Sequence, residues 1–104
     1  MWQERTRLLL DPEQMDRLRD AHIAVIGLGG VGAYAAEMLA RAGVGSLLIL
    51  DSVNVSLSNR NRQLLALEST TGRPKTEVMV ERLRNINPDI SLTIINDYLT
   101  SENV

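Results

Sequence analysis

The stretch from Ile23 to Asp51, IAVIGLGGVGAYAAEMLARAGVGSLLILD, limits what this chain can fold into more than any other part of it. A short apolar run ends in a glycine loop, the loop opens into a helical pattern, and a second apolar run ends in an acid. Gly27, Gly29 and Gly32 have the spacing of a dinucleotide-binding turn, with Gly30 as an extra glycine inside it. In such a turn one glycine permits the tight bend, the next lets backbone approach phosphate, and the third lets helix pack on strand. The helix N-terminal amides then face the phosphates, and Asp51 can hold ribose hydroxyls. No Gly-Lys-Ser/Thr follows the glycines, so the loop is not a P-loop. The expectation is an α/β chain with a Rossmann-like parallel sheet.

The flanking sequence supplies the remaining elements. Asp11-Pro12-Glu13-Gln14 reads as a capped helix start, with Met15 and Leu18 on one face and an end near Asp20. His22 to Gly27 is the first strand, and Ile23-Ala24-Val25-Ile26 is apolar on both faces, as a central parallel strand should be. His22, the only histidine, reads as structural or solvated. The helix from Val31 to Ala42 is expected to bury Val31, Ala35, Met38, Leu39 and Ala42, with Glu37 and Arg41 as an exposed i,i+4 pair and Gly43 just past its end. Tyr34 and Met38 read as packing residues. Ser46 to Leu50 is the second strand, which completes a βαβ unit of about thirty residues. Residues 52–74 form a long polar connection with a short helix expected near Leu64–Leu67. Lys75 to Ile86 is a helix with Val78, Met79, Val80, Leu83 and Ile86 inward, stopped by Asn87-Pro88. Ser91 to Asn96 is the third strand. The predicted order is 3-2-1, with helices on both faces. A complete doubly wound domain has more strands than this, so residues 1–104 read as the N-terminal part of one.

Composition removes several function classes. A net charge of −2 gives no general attraction to nucleic acid or anionic membrane. Without cysteine there is no disulfide framework and no thiolate metal site or nucleophile. The start MWQERTR lacks the apolar core of a signal peptide, and no apolar run approaches membrane-spanning length. A cytoplasmic protein with no membrane partner is expected.

The glycine loop alone leaves the nucleotide open. An NAD-dependent oxidoreductase needs little beyond the fingerprint and Asp51. An ATP site needs more positive charge, since the leaving pyrophosphate must be stabilised. Arg62 and Lys75 could supply it. Both follow Asp51 in segments that return to the C-terminal ends of the strands, where such folds bind ligands. A nonenzymatic binding module is a third possibility.

The segments GLGGVGA (27–33), RAGVGSLLILD (41–51), VSLSNRNRQ (55–63), TGRPK (71–75) and INPDI (86–90) resemble the ThiF/MoeB/HesA superfamily, bacterial relatives of ubiquitin-activating enzymes. The pattern Asn59-x-x-Arg62-Gln63 with Gly72-x-x-Lys75 downstream is far more specific than the glycines. The resemblance implies an ATP-binding domain that adenylates a carboxylate, with ATP and Mg²⁺ as cofactors. It implies that Gly27, Gly29, Gly30 and Gly32 form the nucleotide loop, with Gly30 against the nucleotide, and that Asp51 binds the ribose. Asn59, Arg62 and Lys75 would contact the phosphates. Arg5 matches an arginine that family members insert into the partner subunit's site, which implies a homodimer. Residues 4–10 and 21–25 look most like the branch that dehydrates a threonylcarbamoyl group on tRNA adenosine, with tRNA as substrate; Arg60, Arg73 and Arg82 are candidates for that contact. The alternative branch adenylates ubiquitin-like sulfur carriers. The family's magnesium-associated aspartate is expected beyond Val104, and Asp89 and Asp97 come too early to be it.

Overall fold

The computed structural model describes residues 1–97. The expected ragged end at Ser101–Val104 lies outside the described residues. Three parallel strands, β1 (His22–Ile26), β2 (Ser46–Leu50) and β3 (Ser91–Ile95), pair in the order β1-β2-β3, the 3-2-1 order expected. The register is flush. His22, Ser46 and Ser91 start together, and Ile26, Leu50 and Ile95 finish together. The connections after all three strands therefore leave from one edge of the sheet.

Helices α1 (Glu4–Leu9), α2 (Pro12–Asp20), α3 (Gly32–Ala42) and α4 (Lys75–Ile86) complete the chain. The α2 start is built as its sequence asks. The Gln14 backbone N–H donates to Asp11 Oδ1 at 2.8 Å, and the Asp11 N–H donates to Gln14 Oε1 at 3.0 Å. Helix α1 is not foreseen by any periodicity, because none of its residues is buried. Leu8 and Leu9 stand 79% and 85% exposed.

Val25, Leu47 and Ile49 share one sheet face and join Ala33, Ala36, Ala40, Val78, Met79 and Leu83 in the core. Thus α3 and α4 cover the same face, and the other face keeps Ala24 exposed and Ile26 half exposed. The Rossmann-like class and strand order stand as expected; a second helical layer is not present among the described residues. For the same reason β1 is not buried on both faces. It lies at the sheet edge.

Three local expectations are corrected. First, α3 buries Ala33, Ala36, Glu37 and Ala40. Val31, Tyr34 and Met38 instead face solvent at 80%, 45% and 55% exposure, so Tyr34 and Met38 are not packing residues here. Small alanines allow α3 to lie close against sheet and α4, which bulkier residues on that face would prevent. Second, Glu37 is buried, and it accepts from Arg82 Nε across the α3–α4 contact while Arg41 Nε lies 3.4 Å away. Third, no helix forms at Leu64–Leu67. Short 3-10 turns occupy Leu57–Asn61 and Glu68–Thr70 instead. The Ser56 N–H donates to Asn59 Oδ1 at 2.9 Å, and Thr70 Oγ1 donates to the Leu65 carbonyl at 2.6 Å.

Burial pushes the Glu37 carboxyl up, but the hydrogen bond and charge of Arg82, with the charge of Arg41, outweigh it and leave it below the ordinary carboxylate range. A depressed carboxylate stabilises the fold above its unfolded value, and that contribution is lost as pH falls through the lowered folded value. Glu37→Gln is therefore expected to lower the urea unfolding free energy by about 1–3 kcal/mol at neutral pH, with the difference from the unsubstituted chain shrinking below about pH 4. An unchanged difference across that range would count against the Glu37–Arg82 pair.

Candidate functional site

The site begins with Asp51, at the end of β2. Its side chain is buried, and both carboxylate oxygens take backbone donors. The Leu28 N–H donates to Oδ2 and the Val53 N–H to Oδ1, each at 2.7 Å. Asp51 thereby fastens the glycine loop after β1 to the chain leaving β2. Each oxygen retains a further lone pair, so holding the loop and accepting a ribose hydroxyl are compatible.

The glycines divide by need. Gly27 has φ +87°, a left-handed conformation that side chains disfavour. At Gly32 a Cβ would sit 1.7 Å from the Gly27 carbonyl oxygen, so the start of α3 could not approach the loop with any larger residue. Gly29 and Gly30 have neither constraint. A Cβ at Gly30 would meet nothing within 4 Å, and one at Gly29 would meet only Gln63 Nε2 at 3.8 Å. What their lack of side chains provides is bare backbone on an accessible loop. No side chain caps the N-terminus of α3, so its first amides are open to an anion.

Lys75 opens α4 at the same edge of the sheet. Its N–H donates to the Val53 carbonyl at 3.1 Å, and Asn54 bridges to Pro74. This places Lys75 beside the segment that Asp51 anchors. The residue is only 6% exposed, and it has no hydrogen-bond or ion-pair partner for its side chain among the described residues. Its stem is packed away while the ammonium keeps contact with solvent, a position from which it can meet an anion.

The other expected residues lie nearby but are less committed. Asn59 is half-buried with its Oδ1 engaged by Ser56, which leaves its amide donors. Arg62 is exposed and donates to Asn61 Oδ1 at 2.9 Å and the Ser58 carbonyl at 3.3 Å, with no carboxylate partner. Gln63, which closes the same turn, lies against Gly29. Sequence reasoning gives Gln63 no separate role, although it ends the Asn-x-x-Arg-Gln pattern. Arg5 is not brought to this edge. Its neighbours Gln3 and Arg7 line a concavity of about 400 Å³ with Gly43, Gly45 and Asp89, at the opposite end of the sheet. Of the arginines considered for tRNA, Arg73 pairs with Glu77 and Glu81 at 2.7 Å and Arg82 with Glu37, whereas Arg60 is exposed.

Among the described residues no three His, Cys, Asp or Glu side chains gather to hold a metal. No described helix is long and apolar enough to cross a membrane.

A model of the ThiF family matches residues 3–104. The chain belongs to the ThiF family. Against the tRNA threonylcarbamoyladenosine dehydratase of Haemophilus influenzae it is 48% identical over 95 residues, which are 91% of this chain and 36% of that protein. Against the sulfur carrier protein ThiS adenylyltransferase of Escherichia coli it is 44% identical, covering 92% of this chain and 39% of the relative. The crystal structure of E. coli tRNA N6-threonylcarbamoyladenosine dehydratase, TcdA, in complex with ATP superposes with a TM-score of 0.92 at 43% identity, over 98% of this chain and 43% of that one. The chain thus spans roughly two fifths of the length of the relatives it matches. None of these relatives is an oxidoreductase, and nothing in the site favours that reading.

The Asp51 anchor generates a direct test. Asp51→Ala is expected to cost about 3 kcal/mol, since two charge-assisted bonds to backbone amides, one of them buried, are lost, and to speed hydrogen exchange at the Leu28 and Val53 amides. Unchanged protection at both would show that the loop is held by something else.

Proposed function

We propose that this chain forms the nucleotide-binding part of an ATP-dependent adenylating enzyme, whose substrate is the carboxylate of a threonylcarbamoyl group on tRNA adenosine. The observation that carries the ATP reading is Lys75, its stem packed and its ammonium unpaired among the described residues, beside the Asp51-anchored loop. A dinucleotide's pyrophosphate could also meet that charge, but a triphosphate and its leaving pyrophosphate carry more negative charge and call for more cations than the glycine loop alone provides. The ATP held by the TcdA relative agrees with this reading.

In this scheme the open amides of Gly29, Gly30 and the start of α3 receive phosphate, and Asp51 accepts from the ribose. Asn59, Arg62 and Lys75 stabilise the charge that develops as a carboxylate oxygen attacks the α-phosphorus and pyrophosphate leaves. The acyl-adenylate then undergoes attack from within the same group, closing a ring and releasing AMP. Arg5, remote from the loop in its own chain, would act from a second copy in a homodimer. Mg²⁺ would have to find its carboxylates outside the described residues. A cytoplasmic location suits a tRNA substrate.

The second reading, adenylation of a ubiquitin-like sulfur carrier, is favoured by the 44% identity to the ThiS adenylyltransferase. It uses the same site, so the acceptor decides. Pyrophosphate exchange is expected with modified tRNA and not with a protein ending in Gly-Gly. Exchange with the latter alone would sink the dehydratase reading. For the site itself, Lys75→Ala is expected to weaken ATP binding by about tenfold or more with little change in the thermal unfolding midpoint, because the side chain makes no hydrogen bond or ion pair among the described residues. ATP should also bind more tightly than NAD, and Arg62→Ala should weaken ATP more than NAD.

A further inference from the structure

A cleft of about 360 Å³ opens between α3, α4 and residues 64–67. Its floor is apolar. Leu65 and Val78 are buried there, Leu64 and Ile86 are half-buried, and Leu67 stands 50% exposed. Its rim is charged. Arg41 and Arg82 line it with side chains 52% and 37% exposed. Both turn their Nε towards one buried carboxylate, Glu37, and their terminal amino groups have no acceptor among the described residues. Burial pushes the Glu37 carboxyl up, but Arg82 and Arg41 outweigh it, so Glu37 is ionised at neutral pH. Two guanidinium charges thus share one carboxylate, and one positive charge is left over. The other acid on the rim, Glu81, accepts from Arg73 at 2.7 Å.

The cleft is separate from the nucleotide loop. Arg41 sits in the last turn of α3, and Arg82 and Ile86 sit in the second half of α4, whereas the glycine loop and Lys75 open those helices. A guanidinium with free amino groups meets a carboxylate or a phosphate through parallel hydrogen bonds. The rest of the lining decides between them. Single-stranded RNA is held by bases stacked on aromatic rings, and no aromatic residue lines this cleft. Leucines beside two arginines suit an aliphatic side chain next to a carboxylate, an apolar body with one placed polar group.

We propose that this cleft docks an extended segment of a partner protein in which an acidic residue stands between aliphatic ones. The acidic side chain accepts from the terminal amino groups of Arg41 and Arg82, and the aliphatic groups cover Leu64, Leu67 and Ile86. Its carboxylate balances the charge that Glu37 leaves over. This docking does not depend on which nucleotide the glycine loop takes.

The test adds acetyl-Leu-Asp-Leu-amide, its isostere acetyl-Leu-Asn-Leu-amide and a short oligouridylate to the isotopically labelled full chain, with methyl and guanidinium resonances followed by NMR. The aspartyl peptide should shift the Leu64, Leu67 and Ile86 methyls together with the Arg41 and Arg82 Nε signals. The asparaginyl peptide should bind about tenfold more weakly. Arg41→Gln should remove that preference with little change in the unfolding midpoint, because its contact with Glu37 is a half-exposed ion pair. Leu67→Ser, at an exposed position, should weaken both peptides equally. Equal binding of the two peptides, a preference that survives Arg41→Gln, or no shift in the cleft at millimolar peptide would overturn the proposal. Shifts at the two arginines from the oligouridylate and not from the peptide would overturn it in favour of a phosphate site.

Discussion

The two hydrogen bonds that Asp51 accepts from Leu28 and Val53 are the constraint on which the site depends. Each joins a strand end to a different connection. One fixes the glycine loop after β1, and the other fixes the chain after β2, which in turn receives the Lys75 N–H at the Val53 carbonyl. Glycine loop, acid and lysine are therefore one hydrogen-bonded assembly, although 48 residues separate Gly27 from Lys75. The flush register of the sheet makes this possible. A one-residue slip would move Leu50 off Ile26 and Ile95 and carry Asp51 away from the loop it holds.

Much of this framework is legible in the amino-acid sequence. The strand and helix limits follow from apolar runs bounded by glycine, proline and capping residues, and the α2 start is read from Asp11 and Gln14 alone. The inward face of α3 is not legible in the same way. That helix carries two stripes at helical spacing, one of alanines and one containing Val31, Ala35, Met38 and Ala42. Hydrophobicity favours the bulkier stripe, yet close approach to sheet and α4 favours the smaller. Packing density decides, and no local pattern encodes it. Glu37 is a related case. An acid followed by Arg41 reads as a surface pair, and its true partner Arg82 lies 45 residues away on another helix.

The candidate site shows the same division. Asp51 and the glycines are found from spacing, and their backbone roles are what the spacing implies. Lys75 is found from chemistry and resemblance, but its burial without a partner is a property of the fold. Gln63 is visible in the sequence only as a letter in a motif. Its meaning depends on which polar atoms remain unsatisfied after folding, and that cannot be counted along a sequence.

One sealed atom, Gln63 Oε1, is without a partner among the described residues. A folded chain normally pairs its buried polar atoms, and the described part of this one does so elsewhere: Thr70 bonds Leu65, Glu37 bonds Arg82, and Asn87 reaches the carbonyls of Ala40 and Val44. At the C-terminal edge of the sheet Lys75 has no side-chain partner among the described residues, Gln63 Oε1 is sealed without a donor, and α3, like α1 and α4, starts without a side-chain cap. Lys75 and the helix start offer donors, whereas Gln63 Oε1 is an acceptor. The edge therefore holds both signs in separate places: Asp51 supplies acceptors for hydroxyls, while the charge of Lys75 and the bare amides beside Gly30 have the sign that a phosphate would complete.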